Sequence, residues 1–169
     1  MIQLTTQSQK QELKNYLLNN LEQFEHLKTF VELFPDKPFP KDFDINSALL
    51  AAISNNDFKI TKYLISKKAN INFMNGSPLY MAAYKNSLDT VKYLIFKGAD
   101  IRLRTYGCLR AASVKGNLDI IKYLVEEQNV DVTVDKNFAL RWAHAKNFTA
   151  VADYLISKGA PVELLNKKG

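Results

Sequence analysis

Cysteine is almost missing from this chain. Cys108 is the only one in 169 residues, so no disulfide can close within it, and a reducing compartment, the cytosol, is expected. Histidine is nearly as scarce, with only His26 and His144. One cysteine and two distant histidines cannot assemble a structural zinc site, and no cofactor or metal site is expected. No Ser–His–Asp or Cys–His set is in prospect, so nothing supplies an activated nucleophile and the chain reads as a non-enzyme. The six glycines are scattered singly and form no phosphate-cradling loop. No apolar run approaches the roughly 18 residues that cross a bilayer. The opening stretch, MIQLTTQSQKQELKNYLLNN, lacks the charged-then-apolar order of a secretory leader. Arginine is limited to positions 102, 104, 110 and 141, so the net charge of +6 comes mostly from lysine. A basic surplus suits nucleic acid, acidic lipid or an acidic protein, and equally suits plain solubility.

What the chain does have is a phrase said four times: 62-KYLISKKANI-71, 92-KYLIFKGADI-101, 122-KYLVEEQNVDV-132 and 153-DYLISKGAPV-162. Tyr63, Tyr93, Tyr123 and Tyr154 are spaced by 30, 30 and 31 residues. Fourteen residues before each tyrosine stands a leucine (49, 79, 109, 140), and three further on an alanine (52, 82, 112, 143). A period of this size marks stacked supersecondary units. Each unit reads as two short helices. The first, as in 78-PLYMAAYK-85, opens on Pro78, whose missing N–H costs nothing in a first turn. It stops at Asn56, Asn86, Gly116 or Asn147, residues that tolerate the left-handed conformation beyond a helix end. The second runs through 88-LDTVKYLIFK-97, with Leu88, Val91, Leu94 and Ile95 on one apolar face. Gly98 and Gly159 end it in two units, and Lys68 and Gln128 stand in their place in the others. The extra residue of the third unit, in 126-EEQNVD-131, should widen a turn there. One unit cannot bury its own apolar face, so stacking builds the core.

At these residues the sequence resembles the ankyrin repeat family. The likeness lies in 77-SPLYMAA-83, 116-GNLDIIKYLV-125, 98-GADI-101 and 159-GA-160, and it covers about residues 46 to 165. It implies an all-α solenoid of stacked helix–turn–helix repeats. The divisions are an N-terminal helical cap at 1–45, repeats at 46–75, 76–105 and 106–136, and a last repeat with C-terminal cap at 137–169. The family's usual period is 33 residues; a period of 30 shortens the segment that forms its projecting fingers. Repeats of this length look similar to those of large DNA viruses and of bacteria living inside eukaryotic cells.

Both ends depart from the phrase. Residues 7–20 and 21–34 read as helices, with Leu13, Tyr16, Leu17 and Phe24, Leu27, Phe30, Val31, Phe34 as their apolar faces, followed by the Pro-rich turn 35–44. They form a cap, or else a separate docking module. In the fourth unit, Asp153 and Thr149 replace Lys and an apolar residue, as suits a water-facing end, and 163–169 trails off in charge. His144 occupies a position held elsewhere by Ile53, Ala83 and Ser113, so it is expected inside, between repeats. Cys108 aligns with Pro78 as a helix-start residue.

The resemblance also implies a binding face. The family's exposed inner positions correspond to Ser54 and Asn55, Tyr84 and Lys85, Val114 and Lys115, and Ala145 and Lys146. To these are added the turns at 73–75, 104–106 and 136–138. The partner-binding candidates are Phe73, Met74, Tyr84, Lys85, Arg104, Tyr106, Lys115, Lys136, Phe138 and Lys146, with Phe73, Tyr106 and Phe138 expected to be exposed at turn tips. Aromatic and basic groups together favour protein hot spots. The function implied is a monomeric, cytoplasmic protein-binding adaptor or scaffold that grips an acidic segment, away from membranes. The alternative is nucleic-acid binding through the same lysine column, disfavoured because base reading prefers arginine. Self-association through the end caps stays open as a purely structural role.

Overall fold

The computed structural model describes residues 11, 12, 15 and 23–162. The expected helix over 7–20, with Leu13, Tyr16 and Leu17, falls largely outside the described residues, as does 163–169. Among the described residues there are nine α-helices and no strand: α1 (Phe24–Leu33), α2 (Ile45–Ser54), α3 (Phe58–Ser66), α4 (Phe73–Tyr84), α5 (Leu88–Phe96), α6 (Leu103–Lys115), α7 (Leu118–Lys122), α8 (Val134–Ala145) and α9 (Thr149–Ser157). They pair as α2/α3, α4/α5, α6/α7 and α8/α9. First helices of successive units pack on one another far more extensively than second helices do, which places them on the inner side of the stack. Alanine makes that approach possible: Ala52, Ala82, Ala112 and Ala143 are all fully buried. Leu49, Leu79, Leu109 and Leu140 lie beside them, and Leu64, Leu94, Leu124 and Leu155 close the core from the second helices.

Side-chain caps start α2 and α3, and left-handed residues stop the helices at fixed places in each unit. Asp44 caps α2, its Oδ1 accepting from the backbone N–H of Asn46 (3.1 Å) and Ser47 (3.0 Å). Asp57 caps α3 through Ile60 N–H at 2.9 Å. Asn56, Asn86, Gly116 and Asn147 all take positive φ, between 54° and 72°, as their spacing predicts. After the second helices the same role falls to Lys68, Gly98 and Gly159, with φ of 72°, 95° and 97°.

The third unit differs from expectation. Gln128 has φ −104°, and the left-handed residue is Asn129, φ 53°. The extra residue does not widen the turn at 126–131; it is absorbed in the helix as a π turn over Tyr123–Glu127. In the other units the closing alanine N–H reaches back five residues, as from Ala99 to Leu94 O at 2.9 Å. Here Val130 N–H reaches back six, to Leu124 O at 3.0 Å. Asparagine tolerates the left-handed region better than glutamine, so the stop sits one residue later and the helix takes up the slack.

The units are joined by a second device. Asn70, Asp100 and Asp131 each accept, through a side-chain oxygen, from the backbone N–H two residues on. Three left-handed residues follow in each case: Met74–Asn75–Gly76, Arg104–Thr105–Tyr106 and Asp135–Lys136–Asn137. A bond four residues long closes each, such as Asn137 N–H to Thr133 O at 3.0 Å. Left-handed residues with a Cβ cost about 1–2 kcal/mol each, so this turn is held by the packing on either side of it. Cys108 follows the second triplet and is buried, and burial pushes its thiol pKa up. His144 corrects its expected place: it is exposed, whereas Ile53, Ala83 and Ser113 are buried, because among the described residues no unit packs on that side of α8.

Candidate functional site

The first helices and their leading turns, residues 44–55, 73–85, 103–115 and 134–146, carry seven Lys or Arg against two Asp. Their inner side is therefore electropositive, and the side chains on it are ordered by aromatic rings. The Arg104 guanidinium lies 4.9 Å from the centroid of Tyr80, and its Nη1 donates to Ser77 Oγ at 3.2 Å. Tyr80 and Tyr84, one turn apart on α4, stack at 6.2 Å with planes 17° apart. Lys115 Nζ sits 4.3 Å over Tyr84, so a cation at the end of α6 covers a ring at the end of α4.

The same construction recurs one unit on. The Arg110 guanidinium lies 4.2 Å over Phe138 and donates to Asp135 Oδ2 at 2.8 Å. Phe138 and Trp142 stack at 5.5 Å, nearly parallel, and Lys146 Nζ stands 5.6 Å from the Trp142 ring. Arg141 is tethered by its Nε–H to Lys136 O at 3.1 Å. Each cation–ring contact at such half-exposed sites contributes roughly 0.5–1 kcal/mol. Their joint effect is to fix long side chains that would otherwise sample many rotamers.

Charge neutralisation divides the molecule. Among the described residues, Lys59, Lys92 and Lys158 on the second helices pair with Glu32, Glu127 and Glu126. Among those same residues, Lys85, Arg104, Lys115, Lys136 and Lys146 make no ion pair, and Arg110 alone of the inner cations meets a carboxylate, Asp135. Among the described residues, Lys62, Lys67, Lys97 and Lys122 of the outer helices are unpaired as well. The outer segments 57–68, 87–98, 117–129 and 148–159 nonetheless carry eight Lys against six Asp or Glu, so the basic surplus is larger on the inner side.

The ten sequence-derived candidates all lie on the first helices or their turns. Met74 is exposed at 63% and Tyr84 at 37%, and Lys85, Arg104, Lys115, Lys136 and Lys146 are exposed. Phe73, Tyr106 and Phe138 depart from expectation: all three are half-buried. Phe138 is held under Arg110 and against Trp142, and Tyr106 packs on the core. Tyr106 also lines an open groove of about 500 Å³ between the closing turns of the second and third units, beside Arg102 and Asn129.

Four residues of the face were not singled out in the sequence: Tyr80, Arg110, Arg141 and Trp142. The signal was available in the repeat register, since Tyr80, Arg110 and Arg141 each follow the buried leucine directly. Two polar atoms on α8 are buried without a hydrogen-bond partner, Trp142 Nε1 and Asn137 Oδ1.

A family model described as ankyrin repeats, in three copies, matches residues 8–105. It takes in the segment before residue 46, where the phrase is not legible, and stops before the third and fourth units, which nonetheless follow the same two-helix path. No curated protein matches the chain. With more than half of its residues matched and an all-helical stack of two-helix units, the chain belongs to the ankyrin repeat family, whose repeats are generally protein–protein interaction modules and typically non-catalytic.

Proposed function

We propose that this protein is a non-catalytic adaptor or scaffold that holds an acidic segment of a partner protein on the inner face of its stack. The observation that carries this reading is the contrast in neutralisation. The outer segments hold nearly as many carboxylates as lysines, eight Lys against six Asp or Glu, while the inner ones hold seven Lys or Arg against two Asp. Lys85, Lys115 and Lys146 recur at the ends of the inner helices with no carboxylate partner among the described residues. A partner carboxylate would supply the missing counter-charge, and the ordered rings Tyr80, Tyr84 and Trp142 would supply apolar contact. Charge then governs the encounter rate and aromatic burial most of the affinity. The division into a cap and four repeats is part of this proposal, with residues 1–45 closing the first core face.

The partner we assign is a protein of eukaryotic cytosol. That assignment rests on the single buried thiol, which suits a reducing compartment, and on the likeness of 30-residue repeats to those of viruses and bacteria that act in host cells. No described helix is long and apolar enough to cross a membrane.

The test is a pull-down from eukaryotic cytosolic lysate at physiological salt, comparing the native chain with a variant carrying Lys85→Glu, Lys115→Glu and Lys146→Glu. All three lysines are exposed, and only the ring contacts of Lys115 and Lys146 are lost, so the variant should stay folded with stability lower by about 1–2 kcal/mol. A partner held by the first and lost by the second supports the reading. Equal retention by both sinks it and directs attention to residues 1–45.

A further inference from the structure

The spacing of the inner cations restricts the shape of what they hold. Lys85, Lys115 and Lys146 occupy one position per unit, at the ends of α4, α6 and α8, and all three are exposed. Packed helices lie about 8–10 Å apart, so the column offers a positive charge about once per 8–10 Å along the stack. An extended ligand crossing the helices must present carboxylates on one side at that interval. A β-strand fails, because its side chains alternate faces with a period of two, and residues three apart, about 10 Å, point in opposite directions. A polyproline II helix succeeds: it has three residues per turn and a rise of about 3.1 Å, so every third side chain returns to the same face after about 9 Å.

The rings match the same conformation. Tyr80 stacked on Tyr84, and Phe138 stacked on Trp142, form two ordered aromatic pairs in alternate units. Aromatic-lined grooves are the usual receptor for proline-rich helices of this kind. The unpaired atoms on α8 favour a peptide over a polynucleotide. Trp142 Nε1 is a donor and Asn137 Oδ1 an acceptor. In a chain of Glu-Pro-Pro triplets every carbonyl accepts and each glutamate N–H donates, so both complements are present, whereas a phosphodiester backbone offers acceptors only. Both atoms are turned inward, so pairing them requires a side-chain rotation on binding.

We infer that the occupant of the inner face is a proline-rich acidic segment in the polyproline II conformation, with a carboxylate at every third residue facing Lys85, Lys115 and Lys146. This inference rests on the inner-face reading above and adds conformation and sequence period to it. Proline restricts the free ligand to the bound shape, which lowers the ordering cost.

The chain carries its own reporter, because Trp142 is its only tryptophan and lies on the face. Three synthetic peptides of equal length and charge would be titrated at physiological salt, with tryptophan emission as readout. They are a periodic peptide of four Glu-Pro-Pro triplets, a block peptide with the same glutamates gathered ahead of the same prolines, and a flexible peptide of four Glu-Gly-Gly triplets. A thymidine oligonucleotide of the same length serves as a fourth ligand. The periodic proline peptide should bind about tenfold or more tighter than either other peptide, as expected when order is prepaid. Lys115→Gln should weaken it while leaving the fold intact, as its circular dichroism spectrum would show. Equal binding of the three peptides overturns the periodic conformation and leaves the acidic-partner reading standing. Binding of none, with the lysine-dependent pull-down intact, overturns this inference alone. Tighter binding of the oligonucleotide overturns both.

Discussion

Lys92 Nζ lies 4.9 Å from the centroid of the Tyr123 ring, although the lysine belongs to one unit and the tyrosine to the next. Lys122 stands in the same relation to Tyr154, at 5.8 Å. In the first pair of units Phe58 intervenes: Lys62 lies 4.7 Å over Phe58, which meets Tyr93 edge-on at 5.6 Å. The repeated Lys-Tyr-Leu-Ile phrase is therefore an inter-unit clasp. Its leucine enters the core, and its lysine covers the next unit's tyrosine, directly from Lys92 and Lys122 and through Phe58 from Lys62.

Lys92→Ala should lower stability by about 0.5–1 kcal/mol, the range for an exposed cation over a ring. Part of the loss belongs to Glu127, 3.7 Å from Lys92 Nζ. A double-mutant cycle with Tyr123→Leu separates the two, and melts in high salt screen the ion pair selectively. Purely additive effects of the two substitutions would remove the clasp as a stabilising contact.

Gly116 and Gly98 form a matched pair of probes. Both have positive φ, 72° and 95°, but a Cβ at Gly116 would come within 3.1 Å of the Phe148 ring, while one at Gly98 meets nothing within 4 Å. Gly98→Ala should cost about 1–2 kcal/mol, the left-handed penalty alone. Gly116→Ala should cost more, and Gly116→Asn should retain the steric part although asparagine suits the backbone elsewhere in this position. Chemical denaturation midpoints decide it; equal losses for the two alanine variants would show that the Phe148 ring yields freely.

These helix stops were legible because a left-handed residue leaves a compositional mark, asparagine or glycine, at a fixed place. The π turn at Tyr123–Glu127 left no such mark. An extra residue between two registers can sit in the loop or in the helix, and only the competition between Gln128 and Asn129 for the left-handed site decides it. The joining turns were obscure for a related reason. Thr105 and Tyr106 are poor left-handed formers, yet both have positive φ, imposed by the packing of units on either side. The lysine column was readable because each member sits beside a helix stop. The rings beneath it were not, since Trp142 and Tyr80 look like ordinary inner-helix residues until Arg104 and Lys146 are seen lying over them.

Protonation of carboxylates in acid and deprotonation of Tyr154 in alkali should each loosen the stack. The hydrogen bond from Lys158, then that from Tyr154, lowers the Glu126 pKa, and bonds from Ser47 and Thr133 lower those of Asp44 and Asp131. A lowered carboxylate pKa gives stability that is present above the ordinary carboxylate range and lost as pH falls through the folded value. Tyr154 behaves oppositely: burial, aided by Glu126, raises its pKa to about 12. Its contribution is full below the ordinary value of 10.0 and is lost as pH rises toward about 12. Melts across pH should be level near neutrality and fall at both extremes. Tyr154→Phe should remove its share of the alkaline loss, and Glu126→Gln part of the acid loss; an unchanged profile in either variant would refute that assignment.

Asn117 tests whether units are coupled through polar groups as well as through alanine packing. Its Nδ2 donates to Ala83 O at 2.7 Å, a buried bond that crosses from the third unit to the end of the second unit's inner helix. The equivalent residues Asp57 and Ser87 bond within their own second helices instead, so Asn117 is specialised for the junction. Asn117→Ala leaves Ala83 O with only the backbone N–H of Asn86, at 3.2 Å, and should cost about 0.5–1.5 kcal/mol, the net value of one hydrogen bond. Asn117→Asp should cost more, since a carboxylate would face a carbonyl oxygen with no proton between them, and lowering the pH should recover part of the loss as the acid regains a donor. Hydrogen exchange locates the effect: if the bond couples the units, protection should fall on both sides of the junction, in α4 as well as in α7. Loss confined to α7 would mean that Asn117 serves only its own helix, and that alanine packing alone holds the second and third units together.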